Sequence, residues 1–169
     1  MTDNTITLDQ AAALKAKLEQ EAAPAARELD RISREKILGR ASVEGWTPAQ
    51  AEWLDRLAKQ PLFQAIADGT PGTEALEQAY AVARRKLTTS YFEHALDSGK
   101  DHYTAFLTVI DLERQLAVRR GVPAPDYPDP VLLEACRAVV AASEAGASDE
   151  EQIAAGFAVI RQLMENGLN

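Results

Sequence analysis

Residues 101–120 read DHYTAFLTVIDLERQLAVRR, and this stretch constrains the fold most tightly. Tyr103, Phe106, Leu107 and Ile110 recur at helical spacing along one side, while Ala105, Val109, Leu112 and Leu116 recur along the opposite side. A helix with a single apolar stripe covers a core, whereas one that is apolar on opposing faces must itself be covered from several directions. The stretch therefore predicts a central helix from Asp101 to Arg120, and a central helix requires others around it. Elsewhere few residues favour strands, no two-residue alternation is sustained, and Ala, Leu, Glu, Gln and Arg fill the intervals between helix stops. The expected fold is all-α, a compact bundle of six or seven helices ending in an αα-hairpin. No repeat of fixed period is visible, which sets a solenoid aside.

Moving outward toward the C-terminus, Gly121 is followed by Val122–Pro130, whose four prolines predict a stiff, extended connector. Beyond it Asp129 is expected to cap a helix starting at Pro130, with Leu132, Cys136, Val139 and Val140 facing inward and Gly146 at its end. Ser148 and Glu151 form a capping box, in which the serine accepts from the third backbone N–H and the glutamate returns a bond to the cap. This box opens a last helix with Ile153, Gly156, Phe157, Ile160 and Met164 on its inner face. The organisation expected is one domain over 1–169: a main bundle over 1–121, the connector over 122–130, and a hairpin over 131–169 packed on that bundle.

Moving the other way, Thr73 is expected to cap a long helix reaching about Asp97, with Leu76, Ala79, Tyr80, Ala83, Leu87 and Tyr91 as its buried stripe. Before it, Thr47, Pro48 and Gln50 spell a second capping box with proline at the first helical position. Gln50, Trp53, Leu54, Leu57 and Ala58 then trace one face, and Pro61 begins a short continuation that stops at Gly69 and the Thr70-Pro71-Gly72 turn. At the start of the chain, Leu8 to Ala22 carries Ala11, Leu14 and Leu18 at helical spacing. Pro24, lacking an N–H and clashing with the preceding turn, is expected to break or kink the run. A further segment from about Ala25 to Leu38 carries Leu29 and Ile32, and Gly39 and Gly45 bracket a loop.

Thr47–Ala58, followed by Pro61-Leu62-Phe63 and Glu77–Tyr80, resembles a helical stretch near the C-terminus of type I restriction R subunits. The resemblance covers a minor part of the chain and implies a docking module for a nucleoprotein machine; no helicase or nuclease motif accompanies it.

Charge narrows the classes of function. The net charge is −8, from 18 basic and 26 acidic residues, which argues against non-specific polyanion binding by the whole chain. Most of the imbalance lies late: from Val122 onward only Arg137 and Arg161 oppose eight acidic residues. The single cysteine, Cys136, permits no intramolecular disulfide and no thiolate cluster, so a reducing cytoplasm is the expected compartment. The N-terminus lacks the pattern of a signal peptide, and no window approaches a membrane span, so no membrane association is expected.

Catalytic signals are sparse. His94, Asp97 and His102 flank one helix break and could in principle hold a borderline metal, but their spacing matches no strong motif, and capping and solvation of the junction is the favoured reading. No serine sits in a nucleophile elbow, Cys136 lies on an inward stripe as a small hydrophobe would, and the glycines are isolated punctuation with no phosphate-cradling context. Neither a cofactor nor a metal is expected. The Arg27, Arg31 and Arg34 row is interleaved with Glu28, Asp30 and Glu35, which predicts an ion-paired helix surface.

By elimination the expected function is non-enzymatic: a bacterial or phage accessory protein, in keeping with an Ala-rich, Arg-over-Lys composition. It would bind one protein partner as an inhibitor, immunity protein, adaptor or chaperone. The candidate contact residues are Glu134, Glu144 and Glu165, which lie outside the first turn of the last helix and could act as a phosphate mimic toward a basic channel. The alternative is a structural subunit of a nucleic-acid-bound or defence complex using Arg84, Arg85, Lys86, Arg119 and Arg120. A small metalloenzyme built on His94 and His102 stands third.

Overall fold

The computed structural model describes residues 7–167, which form six α-helices and no strand: α1 (Leu8–Val43), α2 (Pro48–Ala67), α3 (Gly72–Asp97), α4 (His102–Arg119), α5 (Asp129–Glu144) and α6 (Asp149–Glu165). The all-α expectation holds, with the count at the lower of the two numbers. Packing divides the chain into two units, Met1–Lys36 and Ile37–Asn169. The first is, over its described residues, the long leading part of α1; the second holds the last turns of α1 and everything after.

The break expected at Pro24 is absent, and the continuation expected from Pro61 belongs to one helix with the residues before it. α1 runs unbroken through Pro24 and on through Gly39, and α2 runs through Pro61. An internal proline costs about 3 kcal/mol in a helix, but Pro24 is flanked by Ala22, Ala23, Ala25 and Ala26, the best helix formers available. Gln20, whose carbonyl loses its usual partner, is exposed, so water can serve that oxygen. The stop comes later, at Gly45, with φ of +89°. Trp46 N–H donates to Ala41 O there, and a Cβ at Gly45 would lie 2.5 Å from Leu116 O, so both the turn and the approach of α4 require glycine.

The capping boxes at Thr47/Gln50 and Ser148/Glu151 form as their sequences dictate. Two other starts are displaced by one residue or so. α3 begins at Gly72 behind Pro71, leaving Thr73 inside the helix, and α5 begins at Asp129 behind Pro128, leaving Asp129 as its first helical residue. In each case the proline before the start holds the extended conformation that entry to a helix needs, without a side-chain cap.

Within the second unit α3 and α4 form an antiparallel pair joined by the turn at 98–101, and two apolar clusters lie one after the other along it. The first joins the end of α1, α2, the first half of α3 and the second half of α4, through Trp46, Leu54, Leu62, Tyr80 and Leu116. The second joins the remaining halves of α3 and α4 to α5 and α6, through Phe92, Phe106, Val109, Cys136, Val139 and Ile160. α4 thus touches both clusters, but it divides them largely along its length, and its outermost expected core residue, Tyr103, is 38% exposed. The connector over 122–128 is anchored by Arg114 Nε donating to Pro125 O at 3.1 Å, with Tyr127 packed on the second cluster.

The hairpin closes over Phe106. α6 presents Gly156 to it so closely that a Cβ would lie 2.5 Å from the ring and 2.8 Å from Val139, while Phe157 meets Phe106 edge-on at 5.4 Å between centroids. Val131 and Ala135 replace Leu132 and Val140 as the most buried positions of α5, and Met164 is exposed at the end of α6.

Candidate partner-binding groove

A concave surface of the second unit runs between α2 and α3. Gln50, Trp53 and Leu57 recur along one face of α2; Lys86, Leu87, Ser90, Tyr91 and His94 recur along the facing side of α3, and together they line a hollow of about 440 Å³. Gln50 fixes one end. Its Oε1 accepts from the Thr47 N–H of the capping box at 2.9 Å, and its Nε2 donates to Tyr91 Oη at 2.6 Å, so the signal that starts α2 also orients the wall opposite. Trp53, placed by the sequence on the buried face, is 54% exposed at the rim, with the Arg56 guanidinium 5.3 Å from its ring centroid. The reason is local: Ala51, Leu54, Ala58 and Leu62 already fill the inner stripe of α2, and Trp53 falls a hundred degrees off it.

A second hollow of about 700 Å³ shares Leu57, Lys86 and Ser90 with the first and extends past Thr89 and Glu93 to Ser148, Asp149 and Glu150 at the start of α6. The groove therefore has an aromatic and aliphatic end, a lysine at its middle and an acidic end. Glu150 also binds Arg85 Nε at 3.1 Å, which ties α6 to α3 across that end.

The residues singled out in the sequence do not converge. Glu134 bonds Arg137 on α5 at 2.5 Å, Glu144 ends α5 and Glu165 ends α6. Glu134 and Glu144 are about 15 Å apart along their helix, and the hairpin returns Glu165 to the end opposite Glu144. All three are exposed, and none lines the groove. Of the basic set, Arg84 reaches Glu44 at 3.6 Å and Glu113 at 3.3 Å, Arg85 is held by Glu150, and Arg119 donates to Gly45 O and Gln50 at 3.3 Å. Lys86 lines the groove, and Arg120 caps the end of α4.

His94 and His102 are separated in role. His94 lines the groove. His102 sits between Gln152 Oε1 (2.9 Å) and Ser143 Oγ (3.2 Å), stapling the start of α4 to both helices of the hairpin. Gln152 Nε2 donates to Ala147 O, which leaves its Oε1 facing His102 Nδ1 and makes that nitrogen the donor. Asp101, not a histidine, caps α4 by accepting from Thr104 N–H at 2.7 Å. Among the described residues no group of three or more His, Cys, Asp and Glu side chains comes together as a metal site would. Cys136 is fully buried, and burial, helped by the charge of Asp101, pushes its thiol up to about 11, opposite to what a reactive thiolate needs.

A polar hub in the first cluster carried no signal in the sequence. Glu44 accepts from Tyr80 Oη at 2.7 Å and Trp46 Nε1 at 3.2 Å and faces Arg40 and Arg84, each at 3.6 Å. Arg40 also lies 4.3 Å over the Tyr80 ring. Burial, with Glu44 beside it, drives the Tyr80 hydroxyl far above the ordinary phenol range, so it stays a donor. Every partner in this hub is satisfied within the chain, which makes it a structural lock between the end of α1 and α3.

No protein-family model matches the chain, nor does any curated protein or solved structure. No helix among the described residues is long and apolar enough to cross a membrane.

Proposed function

We propose that this chain is a non-enzymatic protein-binding module, an accessory protein whose partner inserts an amphipathic segment into the α2–α3 groove. The observation that carries this reading is the pairing of an exposed tryptophan, over an apolar hollow of about 440 Å³, with an acidic end one hollow further on. Exposed aromatics beside a preformed apolar depression are the usual anchors of protein recognition, and helix-in-groove docking needs a trough of this kind between two helices. Glu93 and Asp149 supply the electrostatic half: they favour a segment carrying Lys or Arg roughly two turns from its bulky apolar anchor. The partner-binding role expected from elimination is kept, while its acidic contacts move from Glu134, Glu144 and Glu165 to the groove end.

A peptide-display library selected on the whole chain tests this. The expected ligands carry one aromatic or branched aliphatic anchor and at least one basic residue, and their binding changes the fluorescence of Trp53 against the buried background of Trp46. Trp53→Ala should weaken a selected peptide about thirtyfold, as loss of a central anchor of about 2 kcal/mol implies. Reversing Glu134, Glu144 and Glu165 together should leave affinity unchanged. The opposite pattern, with Trp53→Ala silent and the triple reversal abolishing binding, would move the contact surface to the hairpin.

A further inference from the structure

The leading part of α1 wears an apolar stripe with no cover inside its own unit. Leu14 and Leu18 are 51% and 55% exposed, Ile32 is also exposed, and Leu29 is half-buried. Monomeric surfaces scatter single apolar residues, but a continuous stripe over six turns is the mark of a helix that expects another helix. The spacing of the stripe says which one. From Ala11 the steps are three to Leu14 and four to Leu18; backward from Ile32 they are three to Leu29 and four to Ala25. These six positions read the same in either direction, and only Ala22, on the same face, meets an unlike residue, Glu21, at its mirror position.

We infer that a second copy of this chain docks on it, the two α1 segments running antiparallel. In that register Ala11 of one copy faces Ile32 of the other, Leu14 faces Leu29 and Leu18 faces Ala25, over about 33 Å of helix. Two of the three layers set a small side chain against a large one, so the seam keeps an even width, and each layer recurs through the two-fold axis, giving the self-complementary contact a symmetric dimer requires. A parallel, in-register pair would instead set alanine on alanine and leucine on leucine, alternating gaps with bulges. The charges flanking the seam agree with the antiparallel choice. Lys17 and Glu28 border it on the same side and come within two residues, about 3 Å along the axis, of each other in the antiparallel register, twice per dimer. Within one copy they pair along the helix, Lys17 with Glu21 at 3.9 Å and Glu28 with Arg31 at 2.6 Å, both exposed and free to re-pair. The one unfavourable neighbour is Glu21 near its own symmetry copy, and Lys17 screens it. This contact uses no residue of the α2–α3 groove and stands independently of it.

Sedimentation equilibrium of the full chain across micromolar to near-millimolar concentrations, with disulfide trapping, tests the arrangement. A reversible monomer–dimer equilibrium is expected. Leu18→Glu should abolish the dimer with helical content unchanged, because the side chain it replaces is exposed. Lys17→Glu should weaken the dimer about fivefold, and adding Glu28→Lys should restore it. Oxidation should trap the Leu14→Cys/Leu29→Cys variant as a dimer and leave Leu14→Cys monomeric; Cys136 is buried and takes no part. A chain that is monomeric throughout the range, a dimer indifferent to Leu18→Glu, or trapping of Leu14→Cys alone would each overturn the proposal, the last by making the pair parallel.

Discussion

The leading part of α1 and the whole of α4 are both helices with bulky apolar residues at regular spacing, yet their fates differ. In α4, Phe106, Val109, Ile110, Leu112 and Leu116 are all buried, taken up by two clusters built from five other helices. Leu14 and Leu18 of α1 stand half or more in solvent. The difference teaches that periodicity records which residues need cover and is silent on where the cover comes from. For α4 the chain supplies it. For the start of α1 its own unit supplies none, and its symmetric spacing is the pattern a second copy would read.

The comparison can be broken most forcefully at Phe106. Phe106→Asp places an unpaired carboxylate where both Gly156 and Phe157 close on the ring, and should cost about 4 kcal/mol or more, enough to abolish cooperative melting of the second unit. A variant melting near the wild type by calorimetry would mean that α4 is not the shared wall of the two clusters.

Gly156→Ala is a smaller test of the same wall. The added methyl would meet Phe106 and Val139 well inside contact distance, and overpacking of this kind costs about 1–3 kcal/mol, so a clear fall in the midpoint of denaturant unfolding is expected. A helix interior ordinarily gains about 1 kcal/mol from the same change, so the sign of the effect alone decides whether α6 lies as close to α4 as described.

The smallest effect belongs to the other region. At a concentration where the chain is monomeric, Leu18→Asp should change stability by no more than about 0.5 kcal/mol, as substitutions at exposed sites do. A loss comparable to that at Phe106 would show that Leu18 is covered within its own chain and would erase the contrast.

High pH sharpens the interior side. Cys136 is neutral and buried, and an unfolded chain would ionise it near its ordinary value of 9.0, so its contribution to stability is complete below that pH and is lost as pH rises toward about 11. Tyr80 pushes in the same direction. Thermal melting should therefore fall progressively through that window, and Cys136→Ala should flatten part of the fall.

Much was legible in the amino-acid sequence because it rests on local physics. The helical character of every described element, both capping boxes, the αα-hairpin and the long run of α3 follow from propensity, spacing and the hydrogen bonds a helix end lacks. The misjudged points were those where a local preference met surroundings it could not foresee. Pro24 ought to break or kink its helix, but its alanine-rich flanks carry α1 through it unbroken. Trp53 ought to be buried by type, yet the inner stripe of α2 was already full. Asp55, an acid by composition a surface residue, is 1% exposed, and Gln152, equally polar, is buried as the anchor of His102.

The groove and the acidic residues that face it belong wholly to tertiary structure. Glu93 and Asp149 are far apart in sequence and meet at one trough only because the hairpin folds back on α3; Glu134, Glu144 and Glu165, close in composition, are spread over both ends of that hairpin. Helix formation is decided over a few residues, where each side chain answers to its neighbours three and four away. Convergence at a surface is decided by the relative placement of whole helices, which side-chain volumes such as Phe106 against Gly156 set and no local pattern encodes.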